Sequence, residues 1–98
     1  MNAGAAVTVL EGGGLIVELI QHEGAVSLAA LEPKVKSNMF VHGVVKAGAL
    51  LSNFDNAVAT MKKRGVDIAF GPYPARENQR PNVIIRDNAG NLIQFFGQ

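Results

Sequence analysis

The stretch Asn82-Val83-Ile84-Ile85-Arg86-Asp87-Asn88-Ala89-Gly90-Asn91-Leu92-Ile93-Gln94-Phe95-Phe96 decides the reading of this chain. Two apolar runs rich in β-branched and aromatic residues flank Asp-Asn-Ala-Gly-Asn, whose residue types tolerate left-handed backbone angles and make Asx turns. The segment is predicted to be a β-hairpin. Immediately upstream, the polar stretch to Pro81 reads as a loop. Val66 to Phe70 reads as a strand that Gly71-Pro72-Tyr73-Pro74 breaks.

Further back, Phe54, Ala57, Val58 and Met61 recur at i, i+3, i+4 and i+7, the spacing of one buried helical face. Ser52 followed three residues later by Asp55 resembles a capping box, and Lys62-Lys63-Arg64-Gly65 supplies cations and a C′ glycine at the other end. A helix is expected over Asn53 to Arg64. Met39 to Leu51 is largely apolar with Gly43 and Gly48 inside it, which suits a buried strand that bends or meets another backbone closely. From Met39 onward the predicted order is strand, helix, strand, strand, strand.

At the N-terminal side, Val7 to Leu10 and Leu15 to Gln21 flank Glu11-Gly12-Gly13-Gly14 and read as another hairpin. The glycine run lacks the Lys-Ser/Thr and following helix of a phosphate loop, so it is read as a turn. His22 to Asn38 shows no sustained periodicity. Ala25 to Leu31 has the makings of a helical turn, while Pro33 and the Lys34/Lys36 pair suggest a surface connection. The expected organisation is a single domain over 1–98, with a hairpin at 7–22, a linker at 23–38 and a βαβββ module at 39–98. Its class is α+β, a mixed curved sheet with one main helix.

Composition narrows the function. The chain has 98 residues, enough for one domain that buries about 60–65% of its unfolded surface, so association with a second chain is plausible. Nine basic and eight acidic residues give a net charge of +1 without a block of like charge, so no nucleic-acid partner is expected. There is no cysteine, hence no disulfide or thiolate metal site, and no apolar run approaches the roughly 20 residues that span a bilayer. No signal peptide is recognised, and the expectation is a soluble cytoplasmic protein with no membrane partner.

The βαβββ order, Asp55 opening the helix, Lys63-Arg64-Gly65-Val66 closing it, and Arg86-Asp87-Asn88-Ala89-Gly90-Asn91-Leu92-Ile93 together resemble the vicinal oxygen chelate superfamily. That superfamily includes glyoxalases, bleomycin- and fosfomycin-resistance proteins and extradiol dioxygenases. The resemblance covers Met39 to Gln98, and Val7 to His22 looks like the closing hairpin of a preceding, truncated module. Paired modules in the resembled family form a cup around a small-molecule or metal site. An incomplete cup with an apolar strand edge implies a homodimer, formed by strand exchange or edge pairing. The alternative is a gene fragment that still folds.

The resemblance also implies a site. The metal-ligand positions fall on Glu18, Lys46 and Gln94, of which Glu18 alone matches the family's ligand type. A protonated lysine has no lone pair, and an amide oxygen is a weaker ligand than a carboxylate, so no metal cofactor is expected; a divalent metal completed by a second chain is the alternative. Three readings stay open. Glu18, Lys46 and Gln94 form a structural ion pair with a supporting amide; Lys46 and Gln94 bind an anionic or carbonyl-bearing small organic ligand; or Glu18 is a catalytic general base.

Arg76, Arg80 and Arg86 near the last hairpin either gather against an anionic substrate or serve solubility. Phe40, Phe70, Tyr73, Phe95 and Phe96 either line an apolar pocket or form core; Arg80 and Phe96 join Lys46 and Gln94 as ligand-binding candidates. His22 and His42 read as hydrogen-bonding or solvated residues. The leading function is small-molecule binding of the bleomycin-resistance type. A metal-dependent lyase, isomerase or dioxygenase of the glyoxalase type and a non-catalytic interaction fragment are the alternatives.

Overall fold

A computed structural model describes residues 4–98 of the chain. Contacts divide it into two units, one ending at Phe40 and one running Val41–Gln98. The first holds strands β1 (Ala5–Gly12) and β2 (Leu15–His22), the short helix α1 (Leu28–Leu31) and a 3-10 turn at Asn38–Phe40. The second holds β3 (Lys46–Leu51), helix α2 (Phe54–Lys63), β4 (Ile68–Tyr73), β5 (Asn82–Arg86) and β6 (Leu92–Gly97). This is an α+β fold with six strands in two sheets.

In the first unit β1 and β2 pair antiparallel from Ala5↔His22 to Gly12↔Leu15. The hairpin is longer than its sequence suggested: Glu11 and Gly12 belong to β1, and Gly13 and Gly14 alone make the turn, at φ +56° and +80°. Positive φ at both central residues matches the right-handed twist of the flanking strands and excludes most side chains. Every residue of β2 is exposed. Within the expected linker, Ser27 caps α1 by accepting from the Ala30 amide at 3.2 Å.

The second unit is a βαβββ module whose sheet runs in the order β3-β6-β5-β4. β3 and β6 are parallel, from Lys46↔Leu92 to Leu51↔Gly97, whereas β6, β5 and β4 are joined antiparallel. Helix α2 lies against one face, because Phe54 and Val58 pack on the fully buried Val83, with Leu51, Met61, Ile68, Ile85 and Phe95 around them. Phe95, one of the aromatics in question, is therefore core. The odd-numbered positions of β5 and β6 face the helix, and alternation sends Asn82, Ile84, Leu92, Gln94 and Phe96 to the other face.

Helix α2 begins and ends within one residue of its expected bounds, but the ends differ in kind. Asn53, not Ser52, is the N-cap, and it makes no side-chain capping bond, so the proposed capping box does not form. The dipole at that end is met by Asp55 in the first turn. At the C-terminus, the Gly65 amide donates to the Lys62 carbonyl at 3.2 Å and the Val66 amide to the Met61 carbonyl at 3.0 Å. That pair of bonds is a Schellman motif.

Two strand limits are corrected. β3 starts at Lys46 rather than Met39, because residues 39–45 hold a 3-10 turn and bends, with Gly43 at φ +141°. β4 does not stop at Gly71 but continues to Tyr73 across a cis Gly71-Pro72 bond and two register shifts. An edge strand tolerates a proline, since its outward N–H has no partner to lose. A side chain at Gly71 would stand 2.9 Å from the Tyr73 nitrogen at a positive φ of 86°, so the bulge needs glycine there.

The last hairpin forms as read, with Asn82↔Phe96 to Arg86↔Leu92 in register. Its turn is held by Asp87, whose Oδ1 accepts from the amides of Ala89 at 2.9 Å and Asn91 at 2.8 Å while Oδ2 accepts from Asn91 Nδ2 at 3.0 Å. The Asn91 side chain first, and the backbone amides after it, hold the Asp87 carboxyl below the ordinary aspartate range. A depressed folded value means that the carboxylate contributes stability above its unfolded value of roughly 4 and loses it as pH falls through the folded one. Urea midpoints measured between about pH 5 and pH 2 should therefore fall less steeply for Asp87→Asn than for the natural chain. Parallel curves would show that the turn carboxylate does not contribute.

Candidate functional site

The residues that bear chemistry gather on the face of the second unit's sheet opposite α2. The parallel register sets Lys46 beside Leu92 and Gly48 beside Gln94, so Lys46 and Gln94 occupy diagonal positions on neighbouring strands and share that face. Phe96 follows two residues after Gln94 on the same side, opposite Leu50 on β3 and Asn82 on β5. Leu50 is 55% exposed, and Phe70 of β4, in register with Ile84, is also exposed. The face is thus an apolar floor carrying Lys46 and the amide of Gln94, with Asn82 at one end of β5 and Arg86 at the other.

The amide is held in place by a residue that the sequence did not single out. Asn82 is only 5% exposed, and its Nδ2 donates to the Arg80 carbonyl at 3.2 Å. Its Oδ1 accepts from Gln94 Nε2 at 3.1 Å. Because the Arg80 carbonyl can only accept, the Asn82 amide has one satisfactory orientation, and that orientation dictates which atom Gln94 presents. Gln94 Oε1 accepts no hydrogen bond among the described residues, so an acceptor and one N–H remain for a ligand. The signal in the sequence was a polar residue heading an otherwise apolar strand, in alternation with Ile84 and opposite the Gln94 hairpin arm.

The other expected residues are placed as follows. Arg80 Nη1 donates to the Gly97 carbonyl at 3.3 Å, which carries its charge to the end of β6, roughly 10 Å along the strand from Gln94. Arg86 lies at the opposite end of β5 and pairs with Asp67 at 3.3 Å. Arg76 sits in a turn closed by reciprocal backbone bonds with Gln79. The idea of an arginine cluster is therefore corrected: a strand's length separates Arg80 from Arg86. The Arg86–Asp67 pair, with both side chains well exposed, is worth at most a few tenths of a kcal/mol to about 1 kcal/mol.

Glu18 lies on β2 in the first unit, opposite Val9, and is exposed, so no burial penalty attaches to its charge. His22 ends β2 and its Nδ1 accepts from the Gly24 amide at 2.9 Å. His42 is exposed in the segment before β3 rather than at a strand start. Phe40 is exposed, as are Phe70 and Tyr73, so these aromatics are not core.

A fit test for a divalent metal gives a negative answer in the second unit. The two ligand positions there hold an ammonium with no lone pair and a neutral amide, whose oxygen is a weaker ligand than a carboxylate. Among the described residues, no three His, Asp or Glu side chains gather within either unit. A cavity of about 470 Å³ lies elsewhere, between the start of α2 and the β4–β5 connection, lined by Phe54, Asp55, Pro72, Tyr73, Pro74 and Pro81. It brings together the Asp55 carboxylate, Tyr73 and an apolar wall. No helix among the described residues is long and apolar enough to cross a membrane.

The chain has a glyoxalase-like α+β fold. It superposes on the crystal structure of a glyoxalase family protein from Bacillus cereus with a TM-score of 0.68 at 15% identity, over 95% of this chain and 61% of the other. At that identity the likeness is one of fold, and this chain spans 61% of its neighbour's length. No protein-family model matches the sequence, and no curated protein matches it.

The buried amide pair yields a direct test. Replacing Asn82 with Leu removes both the donor to Arg80 and the acceptor for Gln94, leaving a carbonyl and an amide short of partners; a loss of about 1–3 kcal/mol is expected in urea unfolding. A second-order effect would follow in NMR, where the Gln94 side-chain amide resonances should collapse toward solvent-exposed values. An unchanged Gln94 signal would mean that Asn82 does not hold it.

Proposed function

We propose that this chain binds a small organic anion or carbonyl-bearing ligand on the sheet face that holds Lys46 and Gln94. The observation that carries the reading is the β3–β6 register, which puts a cation and an oriented amide on one face above Leu50 and Phe96. Small-molecule sites combine an apolar surface with a few fixed polar groups, and this face has that composition. The ammonium supplies the charge for a carboxylate, and the amide offers an acceptor and a donor that fix orientation. The donor set argues for a ligand held without a metal.

Supporting the same reading, the neighbouring fold is that of a glyoxalase family protein, a scaffold that carries several chemistries. The chain is proposed to act as a homodimer. A two-stranded ribbon is marginal alone, and here β1–β2 displays Leu15, Ile16 and Ile20, the last two more than 60% exposed. Exposed aliphatic side chains on such a ribbon support an interaction role.

Thermal melts with a panel of small aliphatic and aromatic carboxylates test the binding reading. A rise of several degrees is expected with at least one acid in excess over its Kd, as mass action requires. The rise should vanish in Lys46→Met and be unaffected by EDTA. A fall in melting temperature on adding EDTA alone would sink the metal-free reading. Light scattering should give the mass of two chains, and a single-chain mass across micromolar concentrations would remove the dimer from the proposal.

A further inference from the structure

The cavity of about 470 Å³ at the start of α2 has a chemistry that carboxylate binding leaves unused. Phe54 and Asp55 from the first turn of α2 face Pro72, Tyr73 and Pro74 from the end of β4, and Pro81 adds the approach to β5. Its volume is that of a small-ligand site. Lys46, Gln94 and Phe96 take no part in its wall.

Charge narrows the occupant. Asp55 is the one charged residue in the wall; it is exposed, and among the described residues its carboxylate enters no ion pair, the Arg86–Asp67 pair lying at the other end of β5. Arg80, next in sequence to Pro81, does not line the cavity and gives its Nη1 to the Gly97 carbonyl. Three prolines have no N–H, so their stretch of wall offers an anion no backbone donor. The matching ligand is a cation. A primary ammonium brings three N–H groups that each need an acceptor, whereas a quaternary ammonium is sheathed in methyl groups and needs none. Those methyls suit proline rings, and the charge is attracted by aromatic rings, of which Phe54 and the 41%-exposed Tyr73 border the space.

The positive end of the α2 dipole opposes a cation, and Asp55 in the first turn offsets it. Loss of that carboxylate would remove an attraction and uncover a repulsion together. Next to this cavity, a smaller one of about 250 Å³ shares Phe54, Asp55 and Pro81 and adds Ser52 and Asn53. Asn53 is the N-cap by position, but its side chain makes no capping bond, so its amide is available to a polar arm of the ligand.

We infer that the cavity is a binding site, separate from the Lys46 face, for a quaternary ammonium head carrying a short hydroxylated arm. Asp55 supplies the counter-charge, Tyr73 and Phe54 the aromatic walls, and Ser52 and Asn53 the partners of the hydroxyl.

Choline and its uncharged isostere 3,3-dimethylbutan-1-ol are the probes, titrated at constant chloride concentration and followed through the NMR signals of residues 52–56 and 73–75. Choline is expected to give saturable shifts confined to those residues, and the alcohol to bind at least fivefold more weakly. Asp55→Asn, an exposed and nearly isosteric change, should weaken choline at least tenfold. Tyr73→Leu, which keeps apolar bulk and loses the ring, should weaken it at least threefold. Asp55→Glu keeps the charge and should bind choline better than Asp55→Asn, which separates loss of charge from any disturbance of the helix start. Shifts that rise linearly and match those from sodium chloride, equal affinity for the two probes, or choline binding undiminished in Asp55→Asn or Tyr73→Leu would each overturn the inference. Carboxylate binding on the Lys46 face stands or falls independently, since none of these variants touches it.

Discussion

The parallel pairing of β3 with β6 is the constraint on which the second unit depends. Two parallel neighbours cannot be joined by a tight turn, so the chain must leave β3, cross over and return. Helix α2 and the β4–β5 arm make that return, and the helix then covers one face with Phe54 and Val58 against Val83. Once one face is closed in this way, the period of two leaves every alternate residue of β5 and β6 on the other. The placement of Lys46, Gly48, Gln94 and Phe96 together is a consequence of that register, not of any local signal around each residue.

Polar groups on a largely apolar face need partners, and Asn82 supplies them. Its amide links the Arg80 carbonyl to Gln94, so a loop carbonyl, a strand end and a central strand are tied by two hydrogen bonds. In a half-buried setting such bonds matter less for net stability than for orientation, because the cost of leaving either amide unpaired rules out the other arrangement. The same reasoning explains the turn at Asp87, where one carboxylate collects three donors and sets the hairpin's length.

The first unit shows a different balance. Its ribbon is specified strongly by Gly13 and Gly14, yet it leaves aliphatic side chains exposed on both faces. A two-stranded hairpin has register without much burial, and its proposed role in association follows from that deficit. Glu18 lies on this ribbon, exposed, so the structural ion pair suggested by its sequence position is not required to offset a buried charge.

Local sequence by itself determined the elements whose causes are local. The i, i+3, i+4, i+7 face of α2, the Asp-Asn-Ala-Gly-Asn turn and the glycine turn of β1–β2 are each set by residues a few positions apart; the first two formed as read, and the third formed with Gly13 and Gly14 alone. Tertiary structure alone decided the rest. Where β3 begins, how β4 passes through Pro72, which arginines meet, and which side chains share a face all depend on strand neighbours distant in sequence. Gln94 and Phe96 were legible as one face of one strand, because alternation is local. That Asn82 would fix the Gln94 amide required the pairing of β5 with β6, since a hydrogen bond between strands has no address in the order of residues along one of them.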